Sequence, residues 1–362
     1  MITVAPGALQ DFVRDIFVAA GCSAAEGARV GRYLVNANLA GHDSHGVARV
    51  PRYVERLHEG LIRADQTIKR MVDTPVLAVV DGNYGFGQTV APQAVEVGIE
   101  KCRAGGLSAV ALRNAGHIGR VGEWAEMAAA AGLLSVHFVT ASGSVLVAPF
   151  GGVERRFSTA PICIGVPRSD DDPLILDFAT SLVAEGKVLV ASQGGTPLPG
   201  DALIAPDGAP SSDPHLLYGE YEPSGRRDYG QGKGAIRAFG DHKGSGLALM
   251  AELLGGALTG TGATLPGRPF ANGMFSFYVD PKRIDAENFF AGEVARYIAF
   301  VKSSRPMQAD GEVLVPGEPE LRMRAARARG VPLPDNTWVA MVATARSLGV
   351  EPPVNVRNSA TV

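Results

Sequence analysis

The chain has 362 residues, 46% of them hydrophobic, which is enough to bury a sizeable core and suggests two or three domains. Its 34 Lys and Arg nearly cancel its 37 Asp and Glu, so no strong field favours nucleic acid or an anionic membrane, and the expected partner is a small molecule. Three cysteines, Cys22, Cys102 and Cys163, lie far apart without CxxC spacing, which argues against a disulfide framework or a cysteine-ligated zinc and fits a reducing compartment.

In the amphipathic opening segment Leu9, Phe12, Val13, Ile16 and Phe17 recur at helical spacing. After Gly21, the stretch Ser23-Ala24-Ala25-Glu26 has the form of a capping box and opens a second helix that runs to about Leu39. GHDSHGVARVPRY (41–53) is then a turn between helices, with Pro51 placed as the first residue of the next helix. From Val76 the pattern changes. VLAVV (76–80) reads as a strand, followed by a glycine-rich turn and a helix from about Pro92 to Ala104. LSAVAL (107–112) is a strand, RNAGHIGR (113–120) a loop, VGEWAEMAAAAG (121–132) a helix and LLSVHFV (133–139) a strand. This alternation predicts a largely parallel sheet with helices on its faces. PICIGV (161–166), LILDFA (174–179) and MFSFYV (274–279) read as further strands, and GLALMAELLGGAL (246–258) as a buried helix. Residues 194–240, rich in Gly, Pro, Ser and Asp, read as long connecting loops rather than a domain of their own. PDNTWVAMVATARSLGV (334–350) reads as a helix returning to the N-terminal helices, which makes a first domain built from both chain ends. The 45 glycines show no repeat period and suit many strand-to-helix turns. No apolar run approaches the roughly 20 residues of a membrane span, and the expected location is the cytoplasm.

Two loops concentrate chemistry. The first holds Ser44, His45, Arg49 and Tyr53; the second holds His117 and Arg120 among Gly116, Gly119 and Gly122. Histidine suits proton transfer because its unperturbed pKa lies near neutrality, which also predicts a rate that titrates there. Arginine suits a carboxylate because its planar fork donates two parallel hydrogen bonds. His117 falls at the carboxyl end of a strand, where α/β folds bind ligands. Residue type alone leaves other roles open: backbone-bonded turn histidines, a surface Arg49 and a packing Tyr53. GFGQTV (85–90) is a near miss to GxGxxG, with Val90 in place of the third glycine, and reads as a turn rather than a phosphate cradle. These motifs alone leave the cofactor undefined.

ANLAGHDSHGVARVPRY and RNAGHIGRVGEWAEMAAAAGL resemble the malate/L-lactate dehydrogenase-like family, also called sulfolactate dehydrogenase-like, and its hydroxycarboxylate dehydrogenases in particular. APFGG (148–152), LDFATS (176–181), EGK (185–187), the HKG of FGDHKGSGLAL (239–249) and LVPGEPE (314–320) match in the same order along nearly the whole chain. The resemblance implies a non-Rossmann three-layer α/β/α mixed-sheet cofactor domain with a smaller helical domain built from the chain ends. On that basis residues 1–72 form the N-terminal helical and substrate region, 73–305 the cofactor-binding domain, and 306–362 the returning C-terminal region.

It further implies an enzyme, an NAD(P)-dependent dehydrogenase of 2-hydroxy acids or reductase of 2-keto acids, with NAD favoured over NADP. The expected assembly is a homodimer whose active site is shared between subunits. By resemblance His45 and His117 are catalytic, and Ser44, Arg49, Tyr53 and His117 bind substrate. The dinucleotide falls to His45, Gly119, Arg120, Val121, Leu176, Asp177, Phe178, Thr180, Ser181, Asp241, His242, Lys243, Gly317 and Glu318. Thr180 and Ser181, between a strand and a helix, read as N-cap hydroxyls at an anion-attracting helix start, whereas spacing alone makes Glu318 a solvated loop charge. Two positions depart from the family pattern: Ala160 stands where asparagine is usual, and Asp241 where glycine or glutamate is common. A reductase of cyclic imine acids is the alternative within the family. A metal-dependent hydrolase or lyase using His42, Asp43, His45 and His117 is the alternative from another class, although the first three lie too close together for a common ligand spacing.

Overall fold

The computed structural model describes residues 1–169, 171–192, 194, 196–222, 227–353 and 357–358. A short strand, β1 (Ile2–Val4), leads into α1 (Pro6–Ala19), which carries proline in its first turn and buries the predicted stripe from Leu9 to Phe17. α2 (Ala24–Leu39) packs along α1 and opens as half a capping box. Ser23 Oγ accepts from Glu26 N at 3.2 Å, but Ser23 N donates to Asp65, because the buried Glu26 carboxylate already accepts from Asp65 N and Thr89 Oγ1. Two 3-10 turns, Asp43–His45 and Val47–Arg49, occupy the expected turn before α3 (Val50–His58), whose first turn holds Pro51.

Next come β2 (Lys69–Asp73), β3 (Leu77–Asp81), α4 (Gly87–Gly105), β4 (Leu107–Ala115), α5 (Gly122–Ala130) and β5 (Leu134–Ser142). α4 begins at Gly87 rather than at Pro92, which sits inside the helix at the loss of one backbone hydrogen bond. The start is set by a neighbouring loop: Gly116 N donates to Gly85 O at 2.8 Å, and a Cβ on Gly87 would lie 2.3 Å from His117 O. β6 (Ile162–Val166), β7 (Leu174–Phe178) and α6 (Glu185–Ser192) follow. Residues 194–240 are more than connecting loops. Their described part forms β8 (Leu203–Ile204), β9 (Pro210–Ser211), α7 (His215–Tyr218) and β10 (Ala235–Ile236); the three strands pair in a small sheet over a core that includes Leu146, Val147, Val188, Leu217 and Ile236. Two-residue strands leave no periodicity to read.

α8 (His242–Ala251) continues into a π-helical turn, Glu252–Leu258, before β11 (Ala271–Val279). The predicted buried helix is buried on one face only, since Leu249, Met250, Leu253 and Leu258 are exposed. The large sheet runs β2-β3-β4-β11-β5-β6-β7 and is mixed. The expectation of a largely parallel sheet fails: only β3 and β4 pair parallel, and every other neighbouring pair is antiparallel. β4 and β5 do run in the same direction, as their local βαβ pattern predicts, but β11 arrives from far along the chain and inserts between them.

After α9 (Pro281–Ile284) and α10 (Phe289–Lys302), the chain forms α11 (Glu318–Arg327), β12 (Val331–Leu333), α12 (Asp335–Ser347) and β13 (Arg357–Asn358). β1 pairs with both β12 and β13, and the Trp338 ring of α12 packs tilted against Phe12 at 5.7 Å. The two chain ends thus share one core, with Met341 and Ala345 buried among the α1 and α2 side chains.

Candidate active site

The loop after α2 is fixed from below. Buried Asn38 accepts from Val47 N at 2.8 Å and donates to Asp43 at 2.6 Å, and a Cβ on Gly46 would strike the Asn38 amide. Arg327 of α11 grips both oxygens of Asp43, at 2.7 and 3.0 Å. On this base stand Ser44, whose Oγ lies 3.1 Å from His45 Nδ1, and Arg49, whose Nε donates to Ser44 O at 2.5 Å. Arg49 Nη2 is 3.9 Å from Glu185 at the start of α6, which leaves much of its fork unengaged.

The second loop meets the first. The His45 and His117 rings stack at 5.5 Å with 19° between their planes. Tyr53, 1% exposed on α3, places its hydroxyl 2.5 Å from His117 Nδ1, and Gln88 Nε2 donates to the same hydroxyl at 3.2 Å. In the tautomer in which Tyr53 donates to Nδ1, a neutral His117 carries its proton on Nε2. Burial, and then Arg49, push His45 down to about 3 and His117 well below its ordinary value. The expected titration near neutrality is therefore displaced to lower pH.

Ser44, His45, Arg49, Tyr53 and His117 thus lie together. The reading missed Gln88, Glu185, Phe270 and Arg56. Gln88 lies in the dismissed GFGQTV turn, and Arg56 lies one helical turn beyond Tyr53; Phe270 offers no local signal. Phe270 sits 6.3 Å from the His117 ring, and the Arg56 guanidinium lies 4.0 Å over its face.

The dinucleotide candidates form a second, connected group. Gly122 N, just beyond Gly119, Arg120 and Val121, donates to the buried Asp177 at 2.7 Å, which ties that loop to Leu176 and Phe178 on β7. Gly317, with φ +96, packs on Pro173 and Ile175 at the start of the same strand. Phe239 N donates to Thr180 O at 3.1 Å and brings Asp241, His242 and Lys243 alongside. Arg120 is buried and held by Glu126 at 2.8 Å, and Arg237 pairs with Asp201 and Asp241. Glu318 pairs with Lys302 and accepts from Val315 N at 2.9 Å, so its carboxylate fastens its own loop.

The N-cap expectation for Thr180 and Ser181 fails. Their hydroxyls donate inward, to Thr159 O and Ala160 O and to Val183 O, and α6 begins only at Glu185 because Ser181 bridges to Ala238 instead of entering a helix. Both departures from the family pattern fall at positive φ, +29 at Ala160 and +54 at Asp241. The group nonetheless fits an anionic dinucleotide: Lys243 is exposed and unpaired among the described residues, Leu176 is 40% exposed, and Gly119 bends the loop at φ +73.

Of His42, Asp43, His45 and His117, only the two histidines 45 and 117 face each other. His42 bonds Glu320 at 3.1 Å, Asp43 is held by Arg327 and His117 by Tyr53, and among the described residues no three His, Cys, Asp or Glu gather around one point.

Known proteins of one family resemble this chain over nearly its whole length. The malate/L-lactate dehydrogenase family matches residues 4–342. Hydroxycarboxylate dehydrogenase B of Escherichia coli O157:H7 is 39% identical over 349 residues, spanning 94% of this chain and 93% of that protein. L-lactate dehydrogenase of Cupriavidus necator is 32% identical over 350 residues, spanning 95% and 97%. Among solved structures, malate dehydrogenase of Pyrococcus horikoshii superposes with a TM-score of 0.84 at 27% identity, covering 97% of both chains.

Proposed function

The chain belongs to the malate/L-lactate dehydrogenase family and is an oxidoreductase of the 2-hydroxy acid dehydrogenase type with a nicotinamide cofactor; on that premise we propose that its reaction takes place where Arg49, His45 and His117 converge. The observation that carries this reading is the stacking of two histidines from distant loops beside one arginine whose fork is largely unengaged. The nicotinamide, when bound, gives or takes the hydride. Arg49 holds the substrate carboxylate through two parallel hydrogen bonds. Tyr53 and Gln88 keep the His117 proton on Nε2, where it polarises the substrate carbonyl. His45, its Nδ1 beside Ser44 Oγ, supplies the proton that the substrate oxygen takes as hydride arrives. The acid must be an imidazolium, and a carboxylate on Arg49 offsets the charge that, after burial, does most to hold His45 neutral.

The test is NADH oxidation with a panel of 2-keto acids in the presence of EDTA. Turnover is expected, and Arg49→Lys should raise KM about tenfold or more because an ammonium cannot reproduce the fork. Unaltered kinetics would assign Arg49 to structure.

We take the cofactor to be NAD, because Arg120 and Arg237 are both spent on carboxylates and leave no free guanidinium among the described residues of the group for a 2′-phosphate. Phosphate contact falls instead to Lys243. The seven-stranded sheet, with one parallel pair and β11 antiparallel at its centre, supports reading residues 73–305 as a non-Rossmann cofactor domain beside a helical region made from 1–72 and 306–362. We also place the protein in the cytoplasm as a homodimer with a shared site. Among the described residues no helix is long and apolar enough to cross a membrane. The three cysteines are free and buried, and α10 buries no side chain while exposing Phe289, Tyr297 and Phe300.

A further inference from the structure

Arg56 is the one charged group beside the histidines whose role the reaction does not explain. Its side chain makes no hydrogen bond or ion pair among the described residues, and its Nε is buried without a partner. The neighbouring arginines differ: Arg52 is bonded to Glu55, and Arg49 is anchored on Ser44 O and faces Glu185. Burial pushes the Arg56 guanidinium down to about 10, and Arg52 and Arg49 add like charge. Arg56 is only half-buried, but its enclosed Nε has no acceptor and its charge no counter-ion, a cost that an incoming anion would relieve. The Arg56 guanidinium lies 4.0 Å over the Phe270 ring, whose centroid is 6.3 Å from that of His117, which places it near the reacting end of the site.

We propose that Arg56 is a specificity-determining residue that receives a second anionic group, so that the preferred substrates are short 2-keto or 2-hydroxy acids with a further carboxylate or similar anion at the far end. This rests on the proposed reaction: Arg49 takes the carboxylate next to the reacting carbon, and Arg56 takes the distal one. The Phe270 face between His117 and Arg56 bounds the short tail joining the two anions. A substrate with an uncharged tail would leave the guanidinium desolvated and unpaired, and would be disfavoured on that account.

The first experiment needs no turnover: calorimetric binding of succinate and of butyrate, a dianion and a monoanion of equal length, to the intact protein. Succinate is expected to bind on the order of 10- to 100-fold more tightly, the value of one charge-assisted contact. That difference should vanish in Arg56→Gln and be partly restored in Arg56→Lys. The second experiment is the ratio of kcat/KM for four-carbon 2-keto acids with and without the distal carboxylate, which should favour the dicarboxylate in the wild type and collapse in Arg56→Gln. Equal binding of succinate and butyrate by the wild type overturns the role given to Arg56, whatever the state of the variants. Succinate preference without turnover of any 2-keto acid would instead leave the anion subsite standing and refute the proposed reaction.

Discussion

His45 and His117 face each other across 5.5 Å, and their shared surroundings decide what each can do. Both are held neutral at physiological pH by burial and then by Arg49. The fraction of His45 carrying a proton therefore falls about tenfold for each pH unit across the neutral range, and kcat/KM for keto-acid reduction should fall with it. A bell centred near the ordinary histidine value is not expected. His45→Gln should cut turnover by on the order of 10²-fold or more, flatten that pH dependence and leave NADH affinity nearly intact. If His45→Gln turns over near normally while His117→Gln abolishes both rate and pH dependence, the two roles are exchanged. The histidines and Arg49 were legible in the sequence because each sits in a local motif of unusual composition. Gln88 and Arg56 were not, because their importance lies in what they touch: a tyrosine from another helix and a phenylalanine far along the chain.

At the scale of elements, the His45 loop depends on a helix that hydrophobic periodicity does not reveal. α11 buries none of its residues, and its contribution to the site is made through charge. Arg327 reaches Asp43 with two hydrogen bonds and also donates to Asn38 O at the end of α2, while Glu320 bonds His42. These contacts set the position of Ser44 and His45 against His117, in the loop that follows β4. Arg327→Met should therefore misplace His45 and lower kcat/KM about tenfold or more, while costing on the order of 1–3 kcal/mol of stability through the unpaired Asp43. Steady-state kinetics read beside urea unfolding check this, and an Arg327→Met enzyme with wild-type kinetics would show that the loop holds its place without α11. Residues 194–240 teach a similar lesson. Their strands are too short to show alternation, and only long-range pairing with Leu146 and Val147 gives them a core.

At the scale of the whole molecule, local pattern predicted the strands of the large sheet except β2, but not their order, since β11 inserts between β4 and β5 from a distant part of the sequence. That insertion also buries a titratable group. His137 on β5 is fully enclosed, its two ring nitrogens facing Ser276 of β11 at 2.8 Å and Ser135 at 3.1 Å. Two hydroxyls can satisfy a neutral imidazole but offer no countercharge, and burial pushes His137 down to about 3. In the unfolded chain the same histidine titrates near its ordinary value of about 6.5. Between those two values the unfolded state holds the extra proton, so the stability His137 contributes is complete above about pH 6.5 and is lost as pH falls toward 3, at up to about 1.4 kcal/mol per pH unit. His45 and His117 act in the same direction. Glu26, Glu123 and Asp177, raised by burial, act in the opposite one as pH falls through the carboxylate range. A variant isolates the histidine. His137→Gln should be less stable than wild type at pH 8, because the serine contacts are disturbed, yet its unfolding free energy should decline less steeply between pH 6.5 and 5, so that the two curves converge. Parallel curves over that interval would mean that His137 takes up its proton without unfolding the sheet around it.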